Sequence, residues 1–308
     1  LKAHYRGWDG SLADHDYNWH DAIHDSTGNP CGNDSPAPCD DDSHGTHTAG
    51  TFAGNDSAGN ATGVAPGAKW IGCRNMDRGT GTPARYIECM QWMLAPTDLS
   101  GNNPNPDLAP DVISNSWSCP PSEGCMAGDG MQAAVEAVVA GGILYVASAQ
   151  NSGPSCATIL DPPAIFDASF DVGATDSSDA LAGFSSRGPV SGSGLIRPDL
   201  SAPGVSVYSS VPVDSYGLKS GTSMAAPHVA GAAALLMSAF PSLKGHPDKV
   251  GAILRATAVT QGVTNTLGET QSCGGTPITQ WPNYMVGYGR LDAWNAYHEV
   301  IFVDSFDN

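Results

Sequence analysis

Three short stretches of this chain hold side chains whose types and spacing suit covalent catalysis. Gly221-Thr222-Ser223-Met224-Ala225-Ala226-Pro227-His228-Val229-Ala230-Gly231 puts a serine on a glycine-flanked turn where an apolar helix begins. At such a turn the hydroxyl is exposed. The first backbone N–H groups point outward at the positive end of the helix dipole, where a developing oxyanion can bind. A serine at a helix start also reads as an ordinary N-cap; the full eleven-residue string favours the chemistry. Asp42-Ser43-His44-Gly45-Thr46-His47-Thr48-Ala49-Gly50-Thr51 places a histidine at the entry to another helix, and imidazole titrates near neutral pH, as a general base should. His44 and His47 could instead be metal ligands, but the His-Glu-x-x-His pattern of a metalloprotease is absent. Val146-Ala147-Ser148-Ala149-Gln150-Asn151-Ser152-Gly153-Pro154 ends a buried strand on an asparagine, which can donate its amide to an oxyanion or simply form a turn.

These groups need a scaffold, and the apolar periodicity predicts one. Strands are expected over 70–76, 111–116 and 143–148. Helices are expected over 83–94, with proline in the first turn, and over 131–140, ended by Gly141-Gly142. A long apolar helix follows over about 223–240, then amphipathic helices near 247–257 and 291–300. Strands alternating with helices in this order make a mainly parallel sheet covered on both faces, an α/β fold of three layers, α/β/α. No repeat or linker divides the chain, so residues 1–301 read as one catalytic domain and residues 302–308 as a tail.

Composition narrows the class. The chain has 308 residues, 37 Gly, 23 Pro and a formal net charge of −18. Such acidity argues against nucleic acid and against anionic membrane surfaces. No apolar run is long enough to cross a membrane as a helix. Eight cysteines favour disulfides and an oxidising, extracellular compartment, with buried free thiols as the alternative. Cys31–Cys39 and Cys119–Cys125 each close a short loop with Pro and Gly; Cys73–Cys89 and Cys156–Cys273 are the remaining pairs.

The three segments, in this order, resemble the subtilase family of serine proteases. Gly63-Val64-Ala65-Pro66-Gly67-Ala68, Phe184-Ser185-Ser186-Arg187-Gly188-Pro189, Asp199-Leu200-Ser201-Ala202-Pro203-Gly204 and Gly287-Tyr288-Gly289-Arg290-Leu291-Asp292-Ala293 extend the likeness. Tyr5-Arg6-Gly7 and Asp16-Tyr17-Asn18-Trp19 resemble the bacillopeptidase-F type within it. The resemblance implies a secreted endopeptidase acting on proteins or peptides, with Ser223 as nucleophile, His44 as general base and Asn151 as oxyanion donor. His47 is then a structural second histidine. Ser116, Trp117 and Ser118, with Ser148, Ala149 and Gln150, match the walls of the first specificity pocket, and Trp117 hints at an apolar lining. The stretch 78–81, through Gly79, Thr80 and Gly81, matches an edge that pairs with extended substrate. An N-terminal propeptide and a structural calcium ion are implied too; Asp40–Asp42 and the acidic residues between Asp161 and Asp176 are the candidate calcium ligands, with a solvated acidic face as the plainer reading.

Two departures stand out. Gln150 occupies the place of a glycine and should narrow the pocket or demand an unusual backbone angle. No Asp-Ser/Thr-Gly motif ends an apolar strand upstream of His44, and Asp40, Asp41 and Asp42 abut the histidine too closely. The triad aspartate is therefore expected outside residues 1–308, along with a central strand, on a longer precursor, and this piece is expected to be catalytically poor alone. A non-catalytic subtilase-like scaffold is the competing reading. An α/β-hydrolase esterase would need Gly-x-Ser-x-Gly and the order Ser, Asp, His, which the chain lacks.

Overall fold

A computed structural model describes residues 1–304 except 57, 267 and 269, with only the backbone of 302–304. The strands are β1 (Trp19–Asp21), β2 (Gly72–Arg74), β3 (Met76–Asp77), β4 (Thr80–Gly81), β5 (Val112–Asn115), β6 (Leu144–Ser148), β7 (Phe170–Thr175), β8 (Ala180–Leu181), β9 (Leu200–Pro203), β10 (Val207–Val211), β11 (Ser215–Lys219) and β12 (Thr264–Asn265). The helices are α1 (His44–Ala53), α2 (Pro83–Leu94), α3 (Met131–Ala140), α4 (Thr222–Ala239), α5 (Pro247–Ala256) and α6 (Ala293–Asp304).

The main sheet runs β12-β8-β7-β6-β5, with β9 also on β7. All its pairings are parallel except β7 with β8. Strands β6 and β7 are buried along their whole length, as a sheet covered on both faces requires. Leu144, Val146, Phe170, Val172 and Leu200 pack under α4, α5 and α6. Ile113, Tyr145 and Ala147 face α2 and α3 through Tyr86, Met90, Met131, Val135 and Val138. The three-layer α/β/α arrangement is the expected one. The final helix reaches Asp304, past the expected start of the tail at 302; residues 305–308 of that tail lie outside the described residues.

Local sequence explains the elements that carry the site. Helix α4 is rich in alanine, so its backbone can lie close to its neighbours. At Gly231 a Cβ would come within 2.7 Å of Val64. Helix α1 meets the β10–β11 hairpin through Gly50, where a Cβ would lie 2.2 Å from Ser210 Oγ. No side chain larger than glycine fits either crossing.

All four disulfides are formed in the expected pairs, and no described cysteine is free. Cys73–Cys89 ties β2 to α2, and Cys156–Cys273 bridges a separation of 117 residues. On chain-entropy grounds the long bridge contributes about 5 kcal/mol, and Cys119–Cys125, six residues apart, about 2 kcal/mol. A second, two-stranded parallel sheet, β1 with β2, stands apart from the main one. Among the described residues, each of β2 and β5 pairs on one side only, with β1 and β6 respectively.

Candidate active site

Ser223 is the second residue of α4. Its hydroxyl donates to the Ser116 carbonyl (3.1 Å), and Ser116 Oγ donates back to the Ser223 carbonyl (2.9 Å). The start of α4 is thereby fastened to the end of β5. In a helix's first turn the backbone N–H groups have no intrahelical acceptor, so the Ser223 N–H is free to serve a ligand oxygen.

Asn151 follows β6 and is oriented by the residue beside the serine. Its Oδ1 accepts from the Thr222 N–H (2.8 Å) and from Thr222 Oγ1 (3.1 Å). With the carbonyl end fixed, the amide nitrogen becomes the outward donor, and it has no acceptor among the described residues. Thr222 is fully buried, so this anchor does not shift easily. The orienting role of Thr222 was not read from the sequence, although its place beside the serine was a signal.

His44 opens α1. The helix lacks a side-chain cap from Ser43, whose backbone is left-handed at φ 63°; Asp40 supplies one instead. The Asp40 carboxylate accepts from the N–H groups of Asp42 (3.0 Å), Ser43 (2.8 Å) and Thr46 (2.8 Å). Burial opposes its ionisation, but these bonds and one from the Thr46 hydroxyl outweigh that and hold its pKa below the ordinary value. Asp40 is thus a helix cap. Burial, helped by the Lys219 ammonium, lowers the His44 pKa against the opposing pull of Asp42 and Asp40. The imidazole is therefore neutral at pH 7, as a general base must be. Among the described residues no carboxylate hydrogen-bonds to it.

His47 is fully buried and bonds through Nε2 to the carbonyls of Val207 (3.0 Å) and Gly217 (3.2 Å), clamping α1 to the β10–β11 hairpin. Its role is structural.

His44, Asn151 and Ser223 all line one cavity of about 1120 Å3. From these groups it continues as a slot between residues 71–75 around β2 and residues 112–115 of β5. The flanks of the slot come from α1, through Thr48, Ala49 and Phe52, and from α4, through Ala230, Gly231 and Ala234. The two unpaired strand edges therefore border the same slot, and His44 stands on the wall of that cavity.

Of the expected specificity residues, Ser116, Trp117, Ser118, Ser148, Gln150 and Gly79 lie on the cavity wall. Ala149 is fully buried in a separate cluster with Ile159, Ala164 and Val190. Thr80 is exposed and pairs with Asp77 in a short hairpin, while Gly81 packs so tightly on Tyr86 that a Cβ would lie 2.3 Å from the ring. Alternation of side chains along a strand explains why neighbours in sequence part company here. Of the two outcomes expected at Gln150, a narrowed pocket or an unusual backbone angle, the structure shows the second, a left-handed backbone at φ 75°, and its side chain is not idle. Its Nε2 donates to the Asp161 carbonyl (2.8 Å) and its Oε1 accepts from the Leu160 N–H (3.3 Å). Trp117 stacks flat on Tyr86 at 3.9 Å.

The candidate calcium ligands do not gather. Asp40 is committed to α1, and Asp41 accepts from the Arg78 N–H (3.1 Å) with Arg74 3.7 Å away. Asp176 caps its own turn, and Asp161 lines the cavity. Among the described residues, no three or more His, Cys, Asp or Glu side chains form a group that could hold a metal.

Comparison with known proteins gives a consistent picture. The profile of the subtilase family matches residues 6–276. Bacillopeptidase F of Bacillus subtilis (strain 168) is 37% identical over 308 residues, covering 97% of this chain and 20% of that protein. Subtilisin DY of Bacillus licheniformis is 36% identical over 206 residues, 66% of each chain. Serine protease AprX of Bacillus subtilis (strain 168) is 35% identical over 257 residues, 72% of this chain and 54% of that protein. The chain thus spans only a fifth of the first of these relatives.

Proposed function

The chain belongs to the subtilase family of serine peptidases, and from that premise we propose that it forms the catalytic part of a secreted endopeptidase. One observation carries the reading: a serine at the start of a buried helix, an asparagine amide oriented by Thr222 and a neutral histidine line one cavity. In this reading Ser223 Oγ attacks the peptide carbonyl while His44 takes its proton. The carbonyl oxygen becomes an oxyanion held by the Asn151 amide and the Ser223 N–H. His44 then gives the proton to the departing amine, leaving an acyl-enzyme on Ser223. Water, deprotonated by His44, attacks the ester and releases the acid.

The third member of the triad is a carboxylate from outside residues 1–308. The slot supports this part. It lies between two strand edges that each lack a partner on that side, so an extended segment can bond to both and present an acidic side chain to His44. Without it, nothing fixes the imidazole's orientation, and the Ser223 hydroxyl bonds to Ser116 instead. Secretion, an N-terminal propeptide and a structural calcium belong to the same proposal. Four disulfides suit an oxidising compartment. With no cluster of acidic side chains to hold it among the described residues, calcium would be held mainly by loop carbonyl oxygens, and no catalytic step passes through it.

The test compares casein hydrolysis and fluorophosphonate labelling by residues 1–308, by the full-length protein and by its Ser223→Ala variant. Full-length protein should be labelled and active, the variant neither. Residues 1–308 alone should be about 10⁴-fold slower, the effect of a missing triad carboxylate. Equal activity from the short form would show that the carboxylate lies within it. An unlabelled full-length protein would favour the scaffold reading.

A further inference from the structure

One carboxylate on the cavity wall takes no part in the chemistry above. Asp161 sits in a strap, residues 160–162, tied at both ends to the segments that flank the reacting carbonyl. On one side Gln150, the residue before Asn151, bonds to the Asp161 carbonyl (2.8 Å) and to the Leu160 N–H (3.3 Å). On the other, the Cys119 N–H, just after Ser118, donates to the Pro162 carbonyl (2.8 Å). Cys119 and Ile159, both fully buried, flank the points where the strap is tied. Asp161 is thus held between the Ser116–Ser118 and Ser148–Asn151 segments, on the wall shared with Ser223.

The Asp161 carboxylate has no hydrogen bond or ion pair among the described residues. Of the other acids on the wall, Asp40 is held by the α1 N–H groups, Asp41 by the Arg78 N–H (3.1 Å), Glu123 by the Tyr86 hydroxyl (2.7 Å) and Asp111 by Lys244 (3.0 Å), while Asp42, two residues before His44 and outside the strap, likewise has no hydrogen bond or ion pair among the described residues. Burial alone pushes the Asp161 pKa up, with no cation among the described residues opposing it. A partly buried carboxylate without a partner is a cost that an incoming cation can offset.

The geometry limits which part of a substrate can reach it. The attacked carbonyl must lie between Ser223 Oγ and the Asn151 amide. The side chain of the residue owning that carbonyl then projects between the two flanking segments, toward the strap. The apolar lining that Trp117 suggested does not dominate there, since its ring is taken up by Tyr86, while Ser116, Ser118 and Gln150 are polar.

We propose that Asp161 selects substrates carrying Arg or Lys at the residue whose carbonyl is attacked. The proposal rests on the protease reading and adds its substrate class. Arginine suits the site through its planar, permanently charged fork, and lysine through a point charge on a flexible stem.

The experiment uses full-length protein and four peptides that differ only at that residue: Arg, Lys, Phe or Glu. The wild type should favour Arg and Lys over Phe by at least about tenfold in kcat/KM. Asp161→Asn should lower kcat/KM for Arg and Lys by about ten- to a hundredfold, as expected when one partner of a partly desolvated charge pair is lost. Cleavage of the Phe peptide should stay within about twofold, and fluorophosphonate labelling should be unchanged, showing that the fold and nucleophile are intact. Asp161→Lys should make Glu the better residue. A wild type that cleaves Phe as well as Arg, or an Asp161→Asn variant that slows all four peptides alike, would overturn the proposal. A wild type that is neither labelled nor active on any peptide would overturn the protease reading, and this proposal with it.

Discussion

At Asp171 the fold encloses a carboxyl with no hydrogen-bond partner for either oxygen among the described residues, on a fully buried residue of β7. Its neighbour Asp199 takes the available cations: Arg197 bonds to one carboxylate oxygen and Arg255 Nη1 to the other (2.8 Å). Asp171 contributes only its backbone, donating to Asp199 Oδ2 (2.6 Å). Burial pushes its pKa well above the ordinary carboxylate range, more than Arg197 pulls it down. The folded chain therefore keeps a proton that the unfolded chain releases near pH 4. Stability should fall as pH rises from there toward the folded-state value, by at most about 1.4 kcal/mol per pH unit. Asp171→Asn removes the ionisation without changing size. Its Tm relative to the wild type should climb with pH above about 4 and show no such gain at pH 3. Melting curves across that range check this; a difference independent of pH would mean that Asp171 is ionised in the fold.

Among the elements, β2 and β5 face each other across the slot, each with one edge unused. Unpaired strand edges exchange their amide hydrogens readily and invite other strands. If an outside segment fills the slot, amides at 72–74 and 112–115 should be markedly slower to exchange in the full-length protein than in residues 1–308. Those of α4, buried in both forms, should differ less. Hydrogen exchange read by mass spectrometry tests this, and equal protection at the two strands in both forms would remove the strand from the slot. In the proposed mechanism, the same geometry would bring the third catalytic group from the neighbourhood of β2 and β5. His44, at the first turn of α1, borders the very cavity that those strands flank.

For the whole molecule, the disulfides and loops set the margin of stability. Cys156–Cys273 ties the segment after Asn151 to a residue 117 positions further along, in the C-terminal third of the chain. Loops such as that of Asp98, whose carboxylate accepts from the N–H groups of Ser100 and Asn102, are held by local turns, and backbone carbonyls of such loops are the ligands the calcium proposal invokes. A calcium ion bound by such carbonyls should show itself in the full-length protein as a Tm that drops by several degrees in chelator and recovers with added calcium. An ion bound at a hundred times its Kd stabilises by about 2.7 kcal/mol. A Tm indifferent to chelator would remove calcium from the proposal.

What the sequence determined by itself was whatever depends on near neighbours. Helix α2 begins at Pro83 and α3 stops at Gly141 because a proline at the first turn and a glycine after the last are local signals. Ser223, His44 and Asn151 could be picked out because each lies in a contiguous string whose turn and helix start are written beside it. That Gln150 would either narrow the pocket or take an unusual backbone angle was legible for the same reason. Only the tertiary structure decided the rest. Asp40 and Asp161 sit in stretches that read as calcium ligands or as a solvated face, yet one caps the helix that His44 opens and the other lines the cavity shared with Ser223. Asp161 reaches that wall through a bond between Cys119 and Pro162, 43 positions apart, and through a glutamine whose side chain could have pointed anywhere. Local periodicity reports how a segment coils, because it follows from the backbone's own geometry. Which partner a charged side chain finds is settled by packing between segments distant along the chain, and that no local pattern records.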